Sequence, residues 1–195
     1  SEIPGNMIKI DFNRNFRGFS NKEKVLLDTG IILALANEYD AWHNTVNNLF
    51  ETHILSDEDD ENSKAIFLFV NPLIINEVTH LAGRPLESYR RKKPKEDFSN
   101  INPEKVVDET ISNIEELIDN EVFLVIDGNR EAVMEQFKLY KDLGSADAAN
   151  VAIANQHSLN FLTVDSRLAE NIYLKRNQLT NIHKVYTTSG KYRTY

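Results

Sequence analysis

Short apolar runs alternate along this chain with longer segments whose apolar residues recur at helical spacing. The runs predict buried strands at 25–28, 65–70, 122–127 and 160–165, and a weaker last strand at 183–187. The segments between them predict helices. Strands that alternate with helices are typical of a parallel sheet with right-handed crossovers. We therefore expect an α/β fold, in which a parallel β-sheet is flanked by helices.

Several predicted helices carry recognisable start signals. Helical spacing predicts one helix that ends near Ala36 and another over residues 41–55. Pro72 and Pro103 each open a helix, because proline is tolerated in the first helical turn. Ser145 is the predicted N-cap of an alanine-rich helix that is apolar nearly all round.

Polar and charged stretches divide the rest of the chain. Residues 1–23 are polar and irregular, and we expect them to form an N-terminal extension. Residues 24–195 suit a single domain. Within it, residues 56–63 predict an acidic loop, and residues 84–103, which are basic and contain three prolines, predict an insertion or a mobile arm.

The composition of the chain excludes several kinds of site and favours others. The 195 residues include no cysteine, which excludes disulfides, thiolate zinc sites and cysteine nucleophiles and favours a reducing compartment, so we expect a cytoplasmic protein. No apolar run approaches ~18 residues, so no membrane span is expected. The net charge of −8 argues against a general nucleic-acid binder, but residues 84–95 hold six Lys and Arg against one Glu and could grip a polyanion. The five histidines show no metal-ligand spacing.

Acidic residues stand at the ends of predicted strands and beside apolar helix faces. Asp28, Asp127 and Asp165 each end a strand, and sites in parallel sheets lie beyond this edge. Glu77 falls at the margin of a helical apolar stripe, and Asp147 lies in the first turn of a helix. Each has a structural alternative: Asp127 suits a turn, the other two strand-end acids could cap helices, and both helix acids could be ordinary surface residues. Only their combination indicates a site.

The order of these motifs resembles the PIN domain, a nuclease fold that includes the VapC toxins of bacterial and archaeal toxin–antitoxin pairs. The stretches "VLLDTGIILALAN", "NPLIINEV" and "GSADAANVAIANQHSLNFLTVD" carry the resemblance, which covers about residues 24–187. They place four acids at the positions of the family's acidic site: Asp28, Glu77, Asp147 and Asp165. The resemblance implies a PIN-like α/β/α fold.

That resemblance implies a divalent-metal-dependent endoribonuclease that hydrolyses RNA phosphodiester bonds, with a VapC-like toxin as one role. If the four acids converge, they could not all remain ionised without a counter-charge, and oxygen-only ligands select Mg²⁺ or Mn²⁺. All four acids are candidate catalytic residues. Asp28, Asp147 and Asp165 are the expected metal ligands, and Glu77 is expected to act through water or as a base.

Neighbouring residues could support this chemistry. Thr163 lies two residues before the last acid, on the same side of its strand, and could hydrogen-bond a ligand or the water. Thr29 and Asn76 are weaker candidates for the same task. Four consecutive cations are expected to hold the RNA backbone through salt-sensitive contacts: Arg90, Arg91, Lys92 and Lys93.

Partners and alternatives complete the expectations. The resemblance implies an antitoxin protein as a partner and a homodimer as the default assembly. A second hypothesis is a non-catalytic PIN-like module that binds RNA or protein. A third is another α/β enzyme, such as a phosphatase or a phosphotransfer receiver, although "DTG" lacks the neighbouring aspartate of such enzymes and no glycine-rich loop could cradle a phosphate. The chain departs from many PIN members at Gly30, where they have Asn or Ser.

Overall fold

A computed structural model describes residues 6–55 and 59–195 of the chain. Within these residues six strands occur: β1 Ile8–Asp11, β2 Glu23–Leu27, β3 Ile66–Val70, β4 Phe123–Val125, β5 Asn160–Leu162 and β6 Lys184–Thr187. The same residues form eight α-helices and a short 3₁₀ helix: α1 Thr29–Ala36, α2 His43–His53, α3 Pro72–Leu81, α4 Arg84–Lys92, α5 Pro103–Asp119, α6 Arg130–Leu143, α7 Ser145–Gln156, α8 Ser166–Leu174 and Gly190–Tyr192.

The six strands form one sheet in the order β1-β6-β5-β2-β3-β4, and every pair is parallel. Helices connect the strands and flank the sheet, which confirms the predicted α/β fold. Because all strands run the same way, their carboxyl ends meet at one edge. No helix in the described part of the chain is long and apolar enough to cross a membrane.

The central strands of the sheet are buried on both faces, which is why the sequence shows them as apolar runs. Val25, Leu26 and Leu27 of β2 are fully buried, since helices cover the sheet on both sides of this strand. Burial of each such side chain stabilises the fold by about 1.5–3 kcal/mol relative to exposure. Leu68 and Phe161, on the neighbouring strands β3 and β5, are buried in the same way.

The N-terminal segment contains a strand where we expected only an irregular extension. β1 pairs with β6 at the edge of the sheet, with Ile8 opposite Lys184. Its own side chains are exposed or half-buried, so they give no apolar run, and the segment is held instead by the buried Met7 and Phe12 on either side. The prediction of an irregular segment up to residue 23 was therefore wrong for β1.

The basic segment begins with a helix, so the interpretation of this part as a mobile arm was wrong. Residues 84–92 form α4, with Pro85 in its first turn and with Pro85 and Leu86 buried against the domain. Of the predicted acidic loop, residues 56–58 lie outside the described part of the chain, and residues 59–63 form turns and irregular backbone.

The N-cap of α7 also differs from the prediction. Gly144, not Ser145, occupies the cap position, and Ser145 is the first residue of the helix. Gly144 has φ 84°, a conformation that glycine adopts without a steric penalty, and this allows α6 to turn directly into α7. Asp147 keeps its predicted place in the first turn.

A buried carboxylate joins three strands at the opposite end of the sheet from the predicted site. Glu23 is 8% exposed. One of its oxygens accepts hydrogen bonds from the Tyr186 hydroxyl (2.5 Å) and the Asn160 amide (3.1 Å), and the other from the Lys184 ammonium (3.2 Å) and the Ser20 N–H (2.9 Å). Burial raises the pKa of Glu23, but the hydrogen bonds and the Lys184 charge outweigh burial and hold that pKa below its usual value.

We expect Tyr186→Phe to lower the free energy of unfolding by about 1.5–3 kcal/mol, because it removes a hydrogen bond to a buried charge. The contribution of Glu23 is present above its unfolded-state pKa and is lost as the pH falls through its lower folded-state pKa, so the deficit should shrink in acid. Urea unfolding at pH 7 and pH 3 measures both effects. Tyr192→Phe, which removes a 3.3 Å bond at a half-buried position, is the control, and equal losses in both variants would contradict the expectation.

Candidate active site

Asp28 and Thr163 lie side by side at the C-terminal edge of the sheet. The register of β2 and β5 sets Leu27 beside Leu162, and each strand continues into one of the two residues. The Thr163 hydroxyl donates to Asp28 Oδ2 at 2.6 Å, and the Thr29 N–H donates to Asp28 Oδ1 at 2.9 Å. Asp28 is 8% exposed and Thr163 is fully buried, so this carboxylate is held in one orientation.

The same threonine connects Asp28 to Asp165. The Asp165 N–H donates to Thr163 Oγ1 at 3.0 Å. Asp165 Oδ1 accepts from the N–H groups of Arg167 and Leu168, both at 3.0 Å, so Asp165 is the N-cap of α8. Capping was the structural alternative for this residue, and it occupies one oxygen. Oδ2 receives no hydrogen bond from the described residues and stays available to a ligand.

Glu77 and Asp147 are both half-buried, and a pair of buried asparagines ties their helices together. Asn71 caps α3, with its Oδ1 accepting from the Ile74 N–H at 2.8 Å. Its amide nitrogen donates to Asn150 Oδ1 at 3.0 Å. Since Asn150 lies one turn after Asp147 on α7, this hydrogen bond fixes the helix that carries Glu77 against the helix that carries Asp147.

The asparagine pair was not predicted from the sequence. Asn150 stands in an alanine-rich helix beside residues that are fully buried, and a polar residue in such a place needs a partner. This polar residue in an otherwise apolar helix was the feature of the sequence that could have indicated a buried hydrogen bond. The partner could not be identified, because Asn71 is 79 residues away in the sequence.

The four acids act on one another electrostatically. Burial, above all, raises the pKa of Asp28 to about 6; the charges of Glu77 and Asp165 add to this effect, while the hydrogen bonds from Thr163 and the Thr29 N–H oppose it. Burial likewise raises the pKa of Asp147 to about 7, and the charges of the other three acids contribute. The structure thus brings all four acids into one region of unfavourable negative charge.

The donor chemistry of this region fits a hard divalent cation. Its carboxylates offer only oxygen, and each Asp28 oxygen accepts a single hydrogen bond and keeps acceptor capacity. The neighbouring Thr29 Oγ1 is buried and without a hydrogen-bond partner among the described residues. In residues 6–55 and 59–195, however, no group of three His, Cys, Asp or Glu side chains is arranged to hold a metal ion. The acids would have to move closer together to bind one.

Gly30 has a steric explanation. A Cβ atom at this position would lie 2.9 Å from Val164 Cγ2, so the segment after β5 fills the space that an Asn or Ser side chain would need. Val164 stands between Thr163 and Asp165. The hydroxyl bond to Asp28 therefore comes from Thr163 on the neighbouring strand.

Asn76 and Asp127, which the sequence placed near the site, make hydrogen bonds with residues other than the four acids. Asn76 is exposed on α3, and its carbonyl accepts from the Thr79 hydroxyl at 2.9 Å; its support for the site stays a prediction. Asp127 Oδ1 accepts from the Gly128 N–H at 2.8 Å, and the Asp127 carbonyl contacts the His157 ring at 2.7 Å. Asp127 therefore lies in irregular backbone between β4 and α6, where its carboxylate accepts a bond from the next residue.

The four cations predicted to hold RNA do not share one face of α4. The Arg90 guanidinium lies 5.5 Å from the ring centroid of Phe98, and Lys93 is 3.9 Å from Glu96. Both are thus engaged within the protein. Arg91 and Lys92, between them, are exposed. Their contact with RNA stays a prediction.

We expect Thr163→Val to lower the free energy of unfolding by about 1–3 kcal/mol. The isosteric change leaves Asp28 Oδ2 and the Asp165 N–H without their buried partner. Thr187→Val is a matched control at the same edge of the sheet, because the buried Thr187 hydroxyl has no hydrogen-bond partner among the described residues. Chemical denaturation should show a loss for Thr163→Val alone, and similar values for both variants would contradict the assigned bonds.

The fold and this edge define the class of the protein: an α/β protein with an all-parallel six-stranded sheet and carboxylates beyond its C-terminal edge. No protein-family model matches the chain, and no curated protein matches it. A solved structure described as VapBC2 from Rickettsia felis bound to a DNA fragment from their promoter is similar, with a TM-score of 0.45 and 12% sequence identity over 83% of this chain and 97% of that chain. A similarity of this size carries no argument about function.

Proposed function

We propose that this chain is a divalent-metal-dependent endoribonuclease of the PIN type. One observation carries the proposal: burial, together with the charges of the other acids of the site, raises the pKa values of Asp28 and Asp147 beyond the C-terminal edge of the sheet. A buried carboxylate is costly unless a cation balances it, and raised pKa values mark carboxylates that lack one. The sequence resemblance to PIN domains supports RNA as the substrate.

Each acid has a role in this proposal. Asp28, Asp147 and Asp165 would hold Mg²⁺ or Mn²⁺, which when bound would neutralise charge on the scissile phosphate and activate a water. Asp28 is oriented for this by its two hydrogen bonds, and Asp165 by its capping of α8. Glu77 would accept the proton of the attacking water on a carboxylate oxygen.

The same proposal includes the cellular role and the partners. The resemblance to VapC supports a toxin whose site is blocked by an antitoxin protein, and it supports a homodimer. A chain of this kind would bind RNA and its antitoxin through one groove, so the two should compete.

A second candidate function is a non-catalytic PIN-like module that binds RNA or protein. The spacing of the carboxylates favours it, because no three such side chains in the described part of the chain are arranged to hold a metal ion. The two candidates differ in what a divalent cation does to bound RNA.

Incubation of the intact protein with a panel of structured and single-stranded RNAs separates them. Cleavage in Mg²⁺ or Mn²⁺ that EDTA abolishes and excess Mn²⁺ restores supports the nuclease. RNA that is retained but not cut, with retention unaffected by EDTA, would overturn the nuclease proposal and favour the binding module.

A further inference from the structure

A cleft lined by several cations lies about one helical turn from Thr29 on α1 and from Glu77 on α3. Its volume is about 270 Å³, and its walls come from α1, α3, α4 and the C-terminal tail. Leu33 on α1 lines it four residues after Thr29, and Leu81 on α3 lines it four residues after Glu77. At 1.5 Å per residue, the cleft is displaced by about 6 Å along both helices. The cleft and the acids are therefore neighbours.

Three cations from distant parts of the chain line this cleft. Arg84 and Lys92 are eight residues apart on α4, so two turns of the helix bring them to the same face. Arg193 comes from the C-terminal tail, which is fastened where the N–H and hydroxyl of Thr194 donate to the Ala41 carbonyl at 2.9 and 3.0 Å. The sequence pattern alone could not group these cations, because it neither predicted α4 nor located the tail.

The positive charge of the cleft is largely unbalanced. Asp40 has the single carboxylate side chain among the lining residues, so the side chains of the cleft have a formal charge of +2. Across residues 6–55 and 59–195, none of the three cations forms an ion pair within 4 Å. The Arg193 guanidinium instead lies 5.5 Å from the ring centroid of Trp42. The charge of Arg193 also acts on Asp40, so Arg84 and Lys92 supply the unbalanced charge that is available to bind an anion.

Aromatic rings accompany the cations. Trp42 and Tyr195 line the cleft, and the Tyr195 hydroxyl donates to the Tyr39 carbonyl at 2.7 Å, which holds its ring in place. Cations beside aromatic rings are the combination that proteins use for single-stranded nucleic acid. The aromatic rings favour an RNA strand over an acidic peptide, because the bases of a single strand stack on such rings.

We propose that this cleft binds a phosphate of the RNA strand next to the phosphate that the carboxylates address. Guanidinium and ammonium groups hold phosphate oxygens through charge-assisted hydrogen bonds. The inference rests on the proposed function, because it makes the cleft and the carboxylates neighbouring subsites for one strand. Binding strength then comes from α4 and the tail, and chemistry from the edge of the sheet.

The single tryptophan of the chain makes the cleft directly observable, because Trp42 is the only indole that can fluoresce. The intact protein is titrated in EDTA, where it cannot cleave, with a short single-stranded RNA, and tryptophan emission is recorded. We expect a saturable change with the RNA. Inorganic phosphate and AMP at the same concentrations should produce little change, since they lack the rest of the strand.

Charge-removing variants connect the signal to the cleft. Lys92→Gln and Arg193→Gln should each weaken RNA binding about five- to tenfold and make the slope of log K against log salt shallower by about 0.7. Anisotropy of a labelled RNA gives the affinity independently of the indole. Lys24→Gln is the matched control, because Lys24 is an exposed residue near the start of β2, at the opposite end of the sheet.

Three results would overturn the inference. They are an unchanged RNA affinity in the Lys92→Gln/Arg193→Gln double variant, an equal response of Trp42 to inorganic phosphate or AMP, and a response to an acidic peptide but not to RNA. Failure of the proposed function looks different, because RNA would then bind in the cleft but stay uncut in Mn²⁺. Metal-dependent cleavage together with unchanged binding in the double variant keeps the nuclease and removes the cleft.

Discussion

Asp28→Asn is expected to reduce metal-dependent RNA cleavage by more than about 100-fold. Loss of even the outer partners of a metal ligand commonly costs 10–100-fold, and this change removes the charge of a proposed ligand. The amide keeps the shape of the side chain, and its oxygen can still accept the bond from the Thr29 N–H. Initial rates in saturating Mn²⁺, compared with wild-type protein and with EDTA, measure the effect.

The stability of the variant should not fall with its activity. Burial raises the pKa of Asp28 to about 6, so the ionised carboxylate destabilises the metal-free fold at pH 7.5, and a neutral amide removes that cost. Asp127→Asn is the matched control: it changes the third acid that was predicted at a strand end, whose carboxylate accepts from the neighbouring Gly128 N–H, and it should cleave at the wild-type rate. Two results would contradict the role of Asp28 as a metal ligand. One is a wild-type rate of cleavage in Asp28→Asn, and the other is a variant that is already unfolded in EDTA, since its loss of activity would then reflect loss of the fold.

The central strands could be predicted because a strand that is buried on both faces consists of consecutive apolar residues. Val25, Leu26 and Leu27 of β2, and Phe161 and Leu162 of β5, are apolar whichever way they point, so these runs are visible without knowledge of the partners. β1 has no such run, because its own side chains are exposed or half-buried; the ladder to β6, which is far along the chain, and the buried Met7 and Phe12 on either side hold it. Pairing of this kind is a tertiary property that a local pattern does not record.

Proline obscured the helix in the basic segment. We interpreted this stretch, which contains three prolines, as an insertion or a mobile arm, yet Pro85 lies in the first turn of α4 as Pro72 does in α3. Without the helix, the cations appeared as one run along the sequence. With it, spacing by four separates Arg84 and Lys92, which share a cleft, from Arg90, which packs on Phe98.

The sequence offered the candidate acids, and it offered Thr163 as a residue that could hydrogen-bond one of them, but it could not say which atoms would meet. The resemblance selected Asp28 and Asp165, but the Thr163 hydroxyl that touches both follows from the register of β2 and β5. The bond between Asn71 and Asn150 depends in the same way on how α3 meets α7. The sequence thus shows which side chains could take part in the chemistry, whereas the packing of distant segments determines how those side chains are positioned.

In EDTA, the free energy of unfolding is expected to fall by about 2–3 kcal/mol as the pH rises from 5 to 8. The folded-state pKa values of Asp28 and Asp147, about 6 and about 7, lie above the ordinary 3.8, so the folded protein binds protons more tightly than the unfolded chain. The stabilisation is complete below the unfolded value and is lost as the pH rises through the folded values. A tenfold difference in proton affinity between the two states corresponds to about 1.4 kcal/mol, and solvent screening reduces the effect for the half-buried Asp147.

Mn²⁺ should reverse this dependence, because a cation binds the ionised carboxylates and protons compete with it. Saturating Mn²⁺ is expected to stabilise the protein clearly at pH 8 and little at pH 5, as linkage requires of a ligand that binds the folded state. Asp147→Asn is the decisive variant: its free energy of unfolding in EDTA should vary less with pH, and Mn²⁺ should stabilise it less. Glu23, whose pKa is lowered from 4.5, titrates below this range and leaves the comparison intact. If Mn²⁺ stabilised the protein equally at both pH values, or if Asp147→Asn kept the full pH dependence, the carboxylates would not be the cation site.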